Sequence, residues 1–409
     1  MSGESSNLQQ HLRSHVPAVG FGERRGWSFF DSPSGTQMLD SCITAMQEYI
    51  TTGMSNRREP APTGDQTEGI LERARTEFSL FLGADGYRVV FGQNTTSLSF
   101  AFAHAIARQR GRADTSVVVT ELEHFANVDP WIQCFSERGA SVRWVGVDPG
   151  TMQLRHVDLE KHLVSNDVAV VAITMASNAV GTSPRVAEAV TLAHAAGALV
   201  VVDGVQAVPH RPMDLAQLGP DVFFCSAYKF YGPHLGMALI REDLAESLQP
   251  YKLQPSSGSG PDKFETGTQS HEAIAGLAGT LDGLAHLVDG TGGLGAREAI
   301  SRLGPIQAGI ADWVDAALRE LPKVRVFRPD KEAGERAPVV AFRVAGLSPG
   351  ECSARLREFG LFITHGDLYA VALAERTGVA RDGGWNRIGI SGYTYQSEAE
   401  RLVDAIAAL

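Results

Sequence analysis

The stretch VVVDGVQAVPH (200 to 210), followed closely by VFFCSAYKFYGPH (222 to 234), decides the fold. Each is a short run of apolar, mostly β-branched or aromatic residues that stops abruptly at a polar turn. A run apolar on both faces is a strand buried on both faces, the habit of a parallel sheet covered by helices. Asp203 ends the first run and Lys229 follows the second, twenty-six positions on. If the two strands are neighbours, a carboxylate and an amine meet at the same sheet edge. Ligands of open α/β sheets bind at that carboxyl edge.

Working outward, similar runs occur at RVVF (88 to 91), SVVVT (116 to 120), SVRWVGV (141 to 147), VAVVAIT (168 to 174) and GMALI (236 to 240). With ALVVVD (198 to 203) and DVFFCS (221 to 226) they make seven strands. Amphipathic segments such as 95 to 108 and 186 to 196 separate them, which predicts an α/β fold with helices on both faces of a seven-stranded, mostly parallel sheet. After Pro261 the texture changes. Helical patterns at 272 to 289, 296 to 321, 349 to 359 and 397 to 409 alternate with strands at 324 to 327, 338 to 344, 361 to 364 and 386 to 390, the outline of a smaller α+β unit. The stretches DGTGGLGA (289 to 296) and RPDKEAGERAP (328 to 338) read as loops. The boundaries expected are an N-terminal arm, 1 to 29, joining the small domain; a large domain, 30 to 285; and a small C-terminal domain, 286 to 409.

The chain of 409 residues carries 36 Lys plus Arg against 47 Asp plus Glu, a net charge of −11. That balance disfavours nucleic acid or an anionic membrane as the main partner. Four cysteines, Cys42, Cys134, Cys225 and Cys352, show neither metal-ligand spacing nor a disulfide framework, so no metal is expected and a reducing, cytoplasmic setting fits. No signal-peptide core or span of about 18 apolar residues is visible.

Lys229 lies between an apolar strand and the aromatic residues Phe230 and Tyr231, with Tyr228 before it. Desolvation there lowers an amine's pKa, which suits Schiff-base chemistry. With this pair, the sequence resembles the class V aminotransferase branch of the fold-type I pyridoxal-phosphate enzymes, within it the cysteine desulfurase-like and selenocysteine lyase-like family. The resemblance runs from FFDSPSGTQ (29 to 37) to RIGISGY (387 to 393). It implies that pyridoxal 5'-phosphate is the cofactor, that Lys229 holds it as a Schiff base, and that Asp203 keeps its pyridine nitrogen protonated. Gln206 is then the donor to the phenolic oxygen, and His124, in TELEHFANVDPW, stacks on the ring. The alternative for His124 is a plain helix cap. Thr95, Thr96 and Ser226 are implied as phosphate ligands, at a helix start whose free N–H groups already favour an anion.

By the same resemblance, Thr268 in FETGTQS reaches the phosphate of a neighbouring subunit, so a homodimer with a shared active site is expected. Arg387 in NRIGISGY clamps the carboxylate of an amino-acid substrate, with Asn178 as its helper between cofactor and carboxylate. Ser34, Gly35 and Thr36 are expected to line the substrate pocket. Arg57 and Arg58 read as a solvated charge pair rather than an anion site.

The sequence departs from the family at one place. Desulfurases carry a nucleophilic cysteine on a loop that corresponds to FITHGDLYAVALAERTG (362 to 378), and this segment has no cysteine. His365, Asp367 and Tyr369 stand there instead, as proton-transfer groups or pocket walls. The expected reaction is therefore β-elimination on an S-substituted cysteine without a protein persulfide. Decarboxylation with oxidative deamination, transamination, epimerisation and a catalytically silent relative remain open at this point.

Overall fold

A computed structural model describes residues 3–409. The seven expected strands are β1 (Tyr87–Gly92), β2 (Ser116–Thr120), β3 (Ser141–Val145), β4 (Val168–Thr174), β5 (Leu199–Asp203), β6 (Val222–Ser226) and β7 (Gly236–Arg241). They form one sheet in the order β1-β7-β6-β5-β4-β2-β3. Only β7 runs antiparallel to its neighbours β1 and β6; every other pairing is parallel. The fold is that of the fold-type I enzymes.

Alternation explains why the central strands are apolar throughout. Val117, Val119, Val201, Val222 and Phe224 point into one core layer, while Val118, Val200, Val202, Phe223 and Cys225 point into the other. Successive strand residues face opposite sides, and both sides here are covered.

Helices α2 (Pro62–Leu82) and α3 (Thr95–Arg110) lie against the sheet, while α1 (Asp40–Thr52) packs on α4 (His271–His286), and α4 and α5 (Gly292–Arg319) pack on α2. The glycine-rich stretch 289 to 296 is not wholly a loop, since α5 begins at Gly292. Its glycines serve close approach. A Cβ on Gly293 would lie 1.9 Å from the Glu77 carbonyl oxygen, and the Gly293 N–H donates to the Glu77 carboxylate at 2.6 Å. Helix α2 and a short helix at Val371–Arg376 were not anticipated.

A second, four-stranded antiparallel sheet contains β8 (Val324–Val326), β9 (Val339–Val344), β10 (Thr364–Gly366) and β11 (Trp385–Gly389), in the order β8-β9-β11-β10. The N-terminal segment is laid against this unit. Ser28–Phe29 pairs in parallel with Leu361–Phe362, and Asp31 bridges to Gly389. The charged stretch 328 to 338 is largely irregular, yet not a solvated run. Arg328 is buried, the side chain of Arg336 is largely covered, and both pair with Asp312 and Asp315 on α5.

Replacing Gly293 by Ala forces a methyl into the α2 backbone, and overpacking of this kind costs about 1–3 kcal/mol. Urea unfolding of Gly293→Ala should show a midpoint clearly below that of the wild type. Leu294→Ala, at a side chain that is 59% exposed, is the control and should stay close to it.

Candidate active site

Parallel pairing of β5 with β6 puts both landmark turns at one sheet edge. Asp203 is the last residue of β5, and Lys229 ends a single 3-10 turn, Ala227–Lys229, directly after β6. They face a cavity of about 420 Å³ whose wall also includes His124, Asn178, Gln206 and Arg387. A larger hollow of about 590 Å³ lies between α1 and α4, but it has no lysine and none of the strand-end groups.

Lys229 is buried, and its Nζ lies 4.7 Å from the centre of the Tyr228 ring. Burial, reinforced by Arg387 and opposed by Asp203 and Asp31, lowers its pKa to about 7. The ammonium donates to the Pro33 carbonyl, which also accepts the Gln206 amide at 2.8 Å. Asp203 is pushed up to about 6 by burial, against the pull of the Val205 N–H and of Lys229. An amine and a carboxyl are thus both held near neutrality.

At the other end of the cavity, Asn94 caps α3 by accepting the Ser97 N–H at 2.8 Å. Thr95 and Thr96 line the cavity from the first turn of this helix, whose N-terminus favours an anion. The hydroxyls of Thr95 and Ser226 lie 2.6 Å apart. Gly236 lets the helix start sit this low, because a Cβ there would come within 2.3 Å of the Asn94 carbonyl carbon.

Arg387 projects from β11 and is fully buried. It donates to the Asn178 carbonyl at 2.9 Å, to the Ser34 hydroxyl at 2.7 Å and to the Thr364 hydroxyl at 3.1 Å. Burial lowers its pKa to about 10, which leaves it cationic at neutral pH. Its Nε and the Asn178 Oδ1 are buried without a hydrogen-bond partner. Unsatisfied buried polar atoms are rare, and two in one cavity are what a polar ligand would satisfy.

His124 caps its 3-10 turn, accepting the Ala126 N–H at 3.1 Å through Nδ1, which is the alternative raised for it beside ring stacking. The cap uses only Nδ1, and one ring face lies against Tyr369, with ring centres 5.2 Å apart and planes within 20°. Burial, with Lys229 and Arg387 nearby, lowers the imidazole pKa to about 4, so the ring is neutral.

Tyr369 belongs to the segment that lacks the family's cysteine. Its carbonyl accepts the Phe125 N–H at 2.8 Å, and the Leu368 carbonyl accepts the Asn178 amide at 2.7 Å. Leu368 and Tyr369 both adopt φ of 58°, unusual for residues with side chains. Asp367 supports them by accepting the Tyr369 N–H at 2.9 Å. His365, Asp367 and Tyr369 all line the cavity. Among the described residues no cysteine does, and all four are buried elsewhere with their thiol pKa values raised by burial.

Two expected residues lie outside this cavity, and a third, Thr268, is expected at a partner's phosphate rather than here. Thr36 is not a wall of this cavity; its hydroxyl donates to the Tyr228 carbonyl at 3.1 Å and accepts the Tyr231 N–H at 2.7 Å. Gly35 packs against the Tyr228 ring. Only Ser34 of that trio reaches the cavity, because the Asp31–Ser34 turn points the following residues at the lysine strand. Thr268 opens instead onto a separate surface hollow with Arg57, Arg58 and Leu253. Arg57 is no solvated charge: it is partly buried between Glu68 and Asp262, at 2.7 Å from each.

Two residues escaped the sequence reading. Glu123 is fully buried and accepts from the Thr120 hydroxyl, the Thr174 N–H and the Asn127 amide, at 2.6 to 2.8 Å, tying the ends of β2 and β4 to the His124 turn. Asp31 lies near Arg387 and Lys229, and one of its carboxyl oxygens is buried without a partner. Glu123 stood beside a residue already singled out; Asp31 had no signal beyond its motif.

A buried amine, a buried carboxyl, a flat neutral imidazole and a helix N-terminus with hydroxyls together suit pyridoxal phosphate. The class is that of pyridoxal-phosphate-dependent enzymes. The sequence matches the Aminotransferase class-V family over residues 28–402, and the chain belongs to that family. It is 30% identical to a cysteine desulfurase of Haloferax volcanii, covering 100% of this chain and 93% of that one. It is 27% identical to an uncharacterized protein, MT3887, of Mycobacterium tuberculosis, covering 94% and 96%. Among solved structures, the Escherichia coli cysteine desulfurase CsdA in its S-sulfonic acid form superimposes with a TM-score of 0.84 at 25% identity, over 97% of each chain. The apo cysteine desulfurase of Thermococcus onnurineus gives 0.87 at 23% identity, over 98% and 97%, a likeness of fold.

The lowered pKa of Lys229 predicts early reactivity. In cofactor-free protein, trace acetylation followed by peptide mass spectrometry should show Lys229 half-reactive near pH 7. A solvated peptide lysine added as internal standard titrates near 10.4, that is about three units higher. Co-titration of Lys229 with the standard would contradict the burial argument.

Proposed function

We propose that this enzyme cleaves the β-substituent from an S-substituted cysteine or similar free α-amino acid, and does so without a protein persulfide. The observation that carries the reading is the cavity itself. It joins a near-neutral lysine to an unpaired buried guanidinium, while the segment where desulfurases keep their cysteine presents His365, Asp367 and Tyr369. Relatives called cysteine desulfurases favour a cysteine-type substrate; the missing thiol argues against their sulfur relay.

In this reading Arg387 binds the α-carboxylate through its planar fork of donors, oriented by Ser34, Thr364 and the Asn178 carbonyl. Lys229, Asp203, Gln206, His124, Thr95, Thr96 and Ser226 would hold the cofactor. When bound, pyridoxal phosphate supplies an electron sink for charge developing at Cα, a sink that Asp203 sustains by keeping the ring nitrogen protonated. Lys229 Nζ takes the Cα proton, an exchange suited to a group that titrates near neutrality. The Cα–H electrons form the Cα–Cβ double bond, the Cβ–S bond breaks, and sulfur leaves with its electron pair. His365, Asp367 or Tyr369 gives the departing thiolate its proton. The stacked His124 and Tyr369 rings wall one side of the cavity. We further propose a homodimer in which Thr268 serves the partner's site, as its position outside this chain's own cavity allows.

A product assay with S-alkyl and S-aryl cysteines tests this. Thiol, pyruvate and ammonia should appear in equal amounts, with or without oxygen. Replacing all four cysteines by Ala or Ser should leave turnover within a few-fold of the wild type in a variant that still folds, because a persulfide relay needs an accessible thiolate and none is available. Alanine as product, together with a trapped protein persulfide, would restore the desulfurase reading.

A further inference from the structure

One short turn touches the lysine, the amide and the guanidinium of the site. The Pro33 carbonyl accepts Lys229 and Gln206, and the Ser34 hydroxyl accepts Arg387. Asp31 stands at the head of this turn, fixed beside β11 by its bridge to Gly389, two positions beyond Arg387. Gly389 permits the contact, since a Cβ there would lie 2.0 Å from the Pro33 ring.

The charges around Arg387 are unusual. Its three hydrogen bonds all go to neutral oxygens, and no described carboxylate comes within ion-pair distance of it. A buried cation without a counter-charge is costly. The acid whose field reaches it is Asp31, whose Oδ1 is itself buried and unpartnered. Lys229 also faces both groups, Asp203 faces Lys229, and Tyr393 faces Asp31.

We propose that Asp31 is a positioning residue, a counter-charge held outside ion-pair distance of Arg387, which sets how tightly the site takes a substrate carboxylate. A carboxylate in contact would fill the guanidinium fork and compete with substrate. At a distance, it stabilises the cation and leaves the fork open. The inference rests on the clamp reading of Arg387 given above.

Opposite responses to two substitutions test it, by calorimetric titration of the holoenzyme with propionate as a minimal carboxylate. Asp31→Asn removes the opposing charge and should tighten propionate about three- to tenfold, as a charge at intermediate dielectric would. Asp31→Glu brings the carboxylate one methylene closer to the fork and should weaken propionate by a similar factor. A purely structural role would weaken both together, and either that result or no change in both would overturn the proposal. Arg387→Ala separates the two readings. If that variant binds propionate like the wild type, the clamp itself is wrong; if it loses binding while both Asp31 variants match the wild type, only the role of Asp31 falls.

Discussion

Two cations, Lys229 and Arg387, are buried around one cavity and repel each other. Much of the local architecture answers that constraint. The lysine is kept near neutral by desolvation, and its remaining polarity is met by a carbonyl and an aromatic face. The arginine is too basic to neutralise, so neutral oxygens satisfy part of its fork and an acid stands at a distance. Burial that would destabilise an ordinary protein is here the source of reactivity, because a solvated lysine is protonated and a solvated arginine has water already in its fork.

Much of this was legible in the sequence, for physical reasons that differ between elements. The seven strands were readable because burial on both faces imposes continuous apolar runs, and their ends because chemistry-bearing residues interrupt those runs at Asp203 and Lys229. The lowered lysine pKa followed from its apolar neighbours. Asp31 was not readable, since its meaning lies in a distance to residues far along the chain. Thr36 was misplaced because a motif records which residues stand at a turn but not which way each one points. Glycines misled at 292 and 293, where they permit close helix packing rather than a loop.

The segment Gly366–Tyr369 shows how a site can be rebuilt without altering its frame. Two successive left-handed residues cost about 1–3 kcal/mol each in general, and here three hydrogen bonds hold them, donated by the Asn178 amide and the Phe125 N–H to their carbonyls and by the Tyr369 N–H to Asp367. The outcome is a fixed wall carrying an aromatic ring against His124. A thiol that must shuttle sulfur between partners needs freedom to travel, whereas this segment is tied to the large sheet through both Asn178 and Phe125.

The pairing of the N-terminal segment with the C-terminal sheet also bears on how the molecule is made. Ser34 and Arg387, which share a hydrogen bond in the finished site, are 353 residues apart. A nascent chain emerging from the ribosome can assemble the seven-stranded sheet and expose Lys229 well before β11 exists. The Arg387 end of the cavity closes only when synthesis is nearly complete. Contacts of such long sequence separation form slowly, because loop-closure entropy must be overcome before they contribute. The Arg387 half of the cavity is therefore a late event of biogenesis, laid over a Lys229 half that local and mid-range contacts have already built.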